Sequence, residues 1–173
     1  MNRPALIVID LQNDYFRGGA FPLHNADETL SSVLSAILRA RQKGIPVILV
    51  QHIADRSQGL APFFNAGTHG VSIHADILDA ARDAPVVIKH FADSFEQTTL
   101  HETLQGLRVN ELLLCGMMTQ NCVTHTALSR QADAYRRVAV LSDASTTVGP
   151  MLHAIALNAL STRVDIASVE QSL

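Results

Sequence analysis

The chain alternates between short runs that are apolar at nearly every position and longer segments in which apolar residues recur at helical spacing. Positions 5–9, 46–50, 85–88, 111–115 and 137–141 form the short runs. Continuous apolar runs of this length read as strands buried on both faces, the pattern of a parallel sheet. Between them, Leu30, Val33, Leu34, Ile37 and Leu38 repeat at helical spacing over 26–43, with Asn25 or Asp27 as the start signal and Gly44 as the stop. Further helices are predicted over 98–106, 119–134 and, from Pro150 in a first turn, 150–160, with a short one over 76–82 and a sixth strand over 164–167.

Strands that alternate with helices form right-handed βαβ units. The predicted architecture is therefore a three-layer αβα sandwich around a six-stranded open parallel sheet, Rossmann-like in plan. The region 53–76 is the least regular. Gly59, Pro62, Gly67 and Gly70 punctuate it and Phe63-Phe64 lies in its middle, the composition of a functional loop, either a lid or a subunit contact.

Composition narrows the function classes. A length of 173 residues, 47% of them hydrophobic, predicts one domain over 1–173 with a full core. A net charge of −3 with no basic run argues against nucleic acid, so the expected partner is a small molecule or another copy of the chain. No apolar stretch approaches the ~18–20 residues of a membrane span, and the first ten residues are too short for a signal peptide. Cys115 and Cys122 are the two cysteines. They provide neither a disulfide framework nor a cysteine-based zinc pattern, and a reducing, cytoplasmic setting is the simpler expectation.

Ligands of open parallel sheets bind outside the carboxyl ends of the strands. The polar residues predicted there are Asp10, Gln51-His52, Lys89-His90, Cys122 just beyond strand four, and Ser142-Asp143. Taken singly, each has an ordinary reading: a solvated cap, a surface lysine, a small buried thiol. Cys115, inside an apolar run, is expected in the core. Together, an acid, a lysine and a thiol at a helix start on one sheet edge suggest nucleophilic chemistry. A helix N-terminus and a nearby ammonium both favour the thiolate, Asp10 can take and return a proton, and backbone N–H groups of the 117–122 turn can face an oxyanion.

Three stretches in order, Ile7-Val8-Ile9-Asp10-Leu11-Gln12-Asn13-Asp14, Lys89 followed by Ser94-Phe95, and Cys115-Gly116-Met117-Met118-Thr119-Gln120-Asn121-Cys122-Val123, resemble those of the isochorismatase-like cysteine hydrolases, a superfamily of nicotinamidases, carbamoylsarcosine-type amidases and isochorismatases. The resemblance covers nearly the whole chain. It implies an Asp10–Lys89–Cys122 triad, a covalent cysteine intermediate, and a cis Met117–Met118 peptide that directs the N–H groups of Met118 and Cys122 at the oxyanion. It also implies a homodimer or larger homo-oligomer. Gln12, Phe16, Gln51, His52, Phe95 and Asn121 are candidates for the substrate pocket, and Phe63 and Phe64 are further possible wall residues. Nicotinamidases of the family carry an Asp-x-His metal motif after strand two. Here that segment reads Gln51-His52-Ile53-Ala54-Asp55-Arg56, so no metal or other cofactor is expected.

The expected activity is hydrolysis of a small molecule at an amide C–N bond through an acyl-cysteine. Alternatives are a vinyl-ether hydrolase with Asp10 as acid, and a binding or redox-sensing protein that retains the pocket. The substrate and the oligomer size are not encoded in these motifs.

Overall fold

A computed structural model of the protein describes residues 2–173. Six parallel strands form one sheet: β1 (Pro4–Ile9), β2 (Val47–His52), β3 (Val86–Lys89), β4 (Glu111–Met117), β5 (Arg137–Thr146) and β6 (Asp165–Ala167). Their order is β3-β2-β1-β4-β5-β6. The order reverses between β1 and β4, which makes the crevice at their carboxyl ends the switch point of the sheet.

Successive side chains of a strand point to opposite faces, and β1 shows what that does in a buried strand. Leu6 and Val8 join one apolar layer with Val33, Ala36 and Ile37 of α1 (Ala26–Gln42). Ala5, Ile7 and Ile9 join the other, with Leu100 and Leu104 of α3 (Leu100–Gly106) and Leu160 of α5 (Pro150–Leu160). The remaining helices are short: α2 (Ala75–Ala80), α4 (Thr124–Ala127) and α6 (Val169–Ser172). The three-layer plan is the one the apolar pattern predicts.

Several elements depart from expectation. The edge strand β3 is covered on one face only, leaving Val86 and Ile88 half exposed. The fifth strand does not end at Leu141. It bulges, so that residues 141–144 stand opposite the single Cys115, and pairing resumes at Gly116↔Ser145 and Met117↔Thr146. Ser142 and Asp143 therefore lie in the bulge and not at the strand's end. Asp143 accepts the Val169 N–H at 2.9 Å and caps α6 instead of joining the site. The helix expected over 119–134 is broken: α4 ends after one turn. Val123, Thr124 and Thr126 are β-branched, and two of their hydroxyls bond outside the helix ladder, Thr124 Oγ1 to Thr119 O at 2.6 Å and Thr126 Oγ1 to Ser94 Oγ at 2.8 Å.

No helix is long and apolar enough to cross a membrane among the described residues.

Candidate active site

Asp10 follows the last residue of β1. Its φ of 55° lies in the left-handed region that non-glycine residues seldom occupy, and such conformations concentrate at functional sites. The Asp10 N–H still pairs with Val50 O at 3.0 Å, while the Gln12 N–H turns back onto Asp10 O at 2.8 Å. The strand is thereby stopped abruptly and its terminal carboxylate held at the switch point.

Cys122 arrives from the other side of the crevice. Gly116 has φ +126°, and a Cβ there would lie 2.0 Å from the Ile9 carbonyl oxygen. Only glycine lets β4 run this close to β1. The Met117–Met118 peptide is cis. The chain then enters a wide turn over Thr119–Val123, in which the Val123 N–H reaches back five residues to Met118 O at 3.3 Å. Turns of this width recur at functional sites. Because α4 behind it is a single turn, the helix dipole is a smaller contributor at the thiol than the predicted long helix implied.

Lys89 ends β3, two strands away from β1, and its side chain crosses β2 to reach the centre. Its ammonium lies 2.9 Å from Asp10 Oδ2, 3.2 Å from Cys122 Sγ, 2.8 Å from His52 Nδ1 and 3.1 Å from Phe91 O. Asp10 and Lys89 are 0% exposed and Cys122 3%. Asp10 Oδ2 is held by the charge of Lys89, and no protein N–H or O–H is aligned for a hydrogen bond to either carboxylate oxygen.

Burial sets the resting proton positions. It is the largest influence on the Cys122 thiol and pushes it up; the Asp10 charge adds to this, and Lys89 opposes it. The resting cysteine is thus a thiol held between a carboxylate and an ammonium, and not the free thiolate that a long helix would favour. Burial pulls the Lys89 ammonium down, but the charges of Asp10 and Cys122 and their hydrogen bonds outweigh it, and the net displacement is upward. His52 is pushed down to about 4, by burial first and the Lys89 charge second, against the Asp10 charge. Buried Tyr15 is raised as well, by burial and then by the charges of Asp10, Cys122 and Asp14.

The candidate pocket residues separate into three groups. Gln51, His52 and Asn121 are half buried. Gln12 and Phe95 belong to the framework. The Gln12 amide donates to His52 O at 2.8 Å and Val71 O at 2.7 Å and accepts from the His52 N–H at 2.8 Å, so both its N–H bonds are committed to the backbone. Phe95 packs in the helical layer near Tyr135 and His101. Phe16 lines an open recess of about 420 Å³ with Asn13, Arg17, His69 and His74, and none of the triad residues borders it. Phe63 and Phe64 pack on Tyr15, with ring centroids 5.3 and 4.6 Å away.

Two supporting residues gave little signal in the sequence. The Asp14 carboxylate accepts from Phe64 N at 2.7 Å and Ala20 N at 3.1 Å, which ties the irregular 53–74 segment to the turn after Asp10. Ser94, buried, receives the Thr126 hydroxyl and anchors the segment after Lys89 to the helix after Cys122. Both stand inside quoted motifs, but their spacing does not say what they touch.

Among the described residues, Asp10, His52 and Cys122 are the one group of His, Cys, Asp or Glu side chains whose ligand atoms converge, within 4.8 Å of one another. The Lys89 ammonium lies between them, so positive charge is already provided. The histidines of the 53–74 segment are engaged separately: His69 with Asn13 at 3.2 Å, and His74 as the cap of α2, accepting from Asp76 N at 3.3 Å. The residues present do not fit the metal site of the nicotinamidases.

The isochorismatase domain model matches residues 4–171. The chain belongs to the isochorismatase family. Among its relatives is the uncharacterized isochorismatase family protein YddQ of Bacillus subtilis (strain 168), 37% identical over 131 residues, or 76% of this chain and 71% of that protein. The N-carbamoylsarcosine amidase of an Arthrobacter species is 27% identical over 151 residues, 79% of this chain and 57% of that enzyme. The crystal structure of an isochorismatase family protein from Desulfovibrio vulgaris superposes with a TM-score of 0.87 at 25% identity, covering 98% of this chain and 96% of that one. This isochorismatase-family protein therefore shares its fold with that solved structure over nearly the whole chain.

Proposed function

We propose that this isochorismatase-family hydrolase cleaves a small-molecule amide through an acyl-cysteine at Cys122. One observation carries the reading: a single buried ammonium touches both the carboxylate of Asp10 and the sulfur of Cys122, at 2.9 and 3.2 Å. A thiol needs a base to become a nucleophile and a cation to remain one, and this arrangement supplies both away from water. Similarity to an amidase supports the choice of a C–N bond.

Asp10 takes the Cys122 proton as sulfur attacks the amide carbonyl carbon, and Lys89 stabilises the charge left on sulfur. The carbonyl oxygen becomes an oxyanion facing the Met118 and Cys122 N–H groups. Donors of this kind typically contribute ~2.7–4 kcal/mol each to barrier lowering. Collapse of the adduct breaks the C–N bond, and Asp10 returns its proton to the leaving amine. A water molecule, deprotonated by Asp10, then attacks the thioester and releases the carboxylate product and the thiol. No step calls for a metal.

The test is Cys122→Ala. Amide turnover is expected to vanish while the far-UV spectrum and unfolding midpoint stay close to wild type. Undiminished turnover in this variant would refute the nucleophile, and survival of vinyl-ether hydrolysis alone would transfer the chemistry to Asp10 as acid.

A further inference from the structure

We propose that His52 is a positioning residue that holds the Lys89 ammonium on the sulfur of Cys122 while the thiol proton passes to Asp10. The proposal rests on the reading of Lys89 as the cation for the nucleophile, and it extends that reading to a residue outside the triad.

Lys89 belongs to the edge strand and must reach over β2 to serve groups at β1 and β4, and adjacent strands lie about 4.8 Å apart. His52 is the β2 residue in direct register with Lys89. It stands under the path of the side chain, and its Nδ1 lies 2.8 Å from the ammonium, the shortest of the four contacts.

Counting donors gives the role. An ammonium has three N–H bonds. Here it faces four acceptors: Asp10 Oδ2, His52 Nδ1, Phe91 O and Cys122 Sγ. In the resting site the three N–H bonds go to His52 Nδ1, Phe91 O and Cys122 Sγ, and Asp10 Oδ2 is held by charge at 2.9 Å. Proton transfer from Cys122 to Asp10 removes charge from the carboxylate and places it on sulfur. The N–H that faces Cys122 then meets a full negative charge, while the other two keep their partners. His52 and the Phe91 carbonyl are thus the fixed points that aim the third N–H at sulfur, and of the two only His52 is a side chain.

The role requires a neutral imidazole. Lysine can only donate, so Nδ1 must accept and the ring proton resides on Nε2. The charged and titratable groups around the ring are Lys89, Asp10, Cys122 and His90. Burial and the Lys89 charge keep the imidazole neutral down to about pH 4, so it holds its acceptor throughout the neutral range.

The experiment reads Cys122 alone, with no substrate, so its result stands whether or not amide hydrolysis is the activity. Full-length protein is alkylated with iodoacetamide from pH 6 to 10 and modification of the Cys122 peptide is followed by mass. His52→Ala is expected to slow alkylation by about tenfold at fixed pH and to move the profile upward by roughly one unit, because Lys89 settles on Asp10 and leaves the thiolate unaided. His52→Asn, whose side-chain oxygen can occupy the Nδ1 position, should recover most of the rate. Wild-type behaviour in His52→Ala, or an Asn variant as slow as the Ala variant, would overturn the proposal. If His52→Ala does not fold, His52→Leu replaces it as the variant without an acceptor.

Discussion

Lys89→Met probes the centre of the site through stability, independently of any substrate. The substitution keeps the length and apolar stem of the side chain and removes the ammonium. Asp10 Oδ2 loses its ion-pair partner at 2.9 Å, and His52 Nδ1, Phe91 O and Cys122 Sγ lose a donor at 2.8, 3.1 and 3.2 Å. The Asp10 carboxylate is the decisive one, since it is fully buried and Lys89 is the cation paired with it. Breaking a buried pair on one side costs about 3–5 kcal/mol, whereas replacing both charged partners by groups of similar volume is often close to neutral. Asp10→Asn combined with Lys89→Met should therefore be more stable than Lys89→Met alone, with a coupling energy of about 2 kcal/mol or more across the double-mutant cycle. Urea unfolding followed by circular dichroism measures all four corners, with an unchanged slope as the control that the same surface is exposed. A Lys89→Met variant within 1 kcal/mol of wild type, or a double variant no better than the sum of the single ones, would show that the pair does not carry the buried charge as described.

Gly116→Ala should lose about 2–6 kcal/mol, because the new methyl must contend with the Ile9 backbone at 2.0 Å and with a positive φ; a thermal melt within 2 °C of wild type would contradict the close approach of β1 and β4. The pH dependence of stability follows from His52, which titrates near 6.5 in the unfolded chain and near 4 when folded. Unfolded molecules bind the extra proton between those values, so stability contributed by this group is complete above about pH 6.5 and is lost as pH falls toward 4. Unfolding midpoints for His52→Asn should decline less than wild type across that window, and parallel profiles would argue against it. Ser94→Ala, which leaves the buried Thr126 hydroxyl without its 2.8 Å acceptor, should cost about 1–3 kcal/mol in urea unfolding; an unchanged midpoint would show that the link between the Lys89 and Cys122 segments is not under load.

Much of this was legible in the chain because the physics was local. Residues 5–9 and 112–115 read as buried strands since no side chain in them tolerates water well on either face. Pro150 marked a helix start and Gly44, at φ +66°, a helix stop. The alternation of such elements implies the parallel sheet, and the sheet implies that Asp10, Lys89 and Cys122 share an edge. The less legible features depend on distant partners. Ser142-Asp143 looked like a strand's end because polar residues usually are one; only pairing with Gly116 and Met117 beyond the bulge shows that β5 continues. His52 stood at the right edge, but a sequence does not show that a lysine from the next strand passes over it. The helix after Cys122 was overextended because the hydroxyl of Thr126 has its partner 32 residues away at Ser94. Ser168 followed three residues later by Gln171 is a local signal of a further helix, the capping box that starts α6.

Covalent attachment of the substrate to Cys122 can be seen by intact-mass spectrometry of the protein mixed rapidly with a panel of small amides. An acyl-sized mass increase that maps to Cys122 should rise and decay with turnover and be absent from Cys122→Ala. Turnover of an amide with no such species at any time, undiminished in Cys122→Ala, would contradict that attachment.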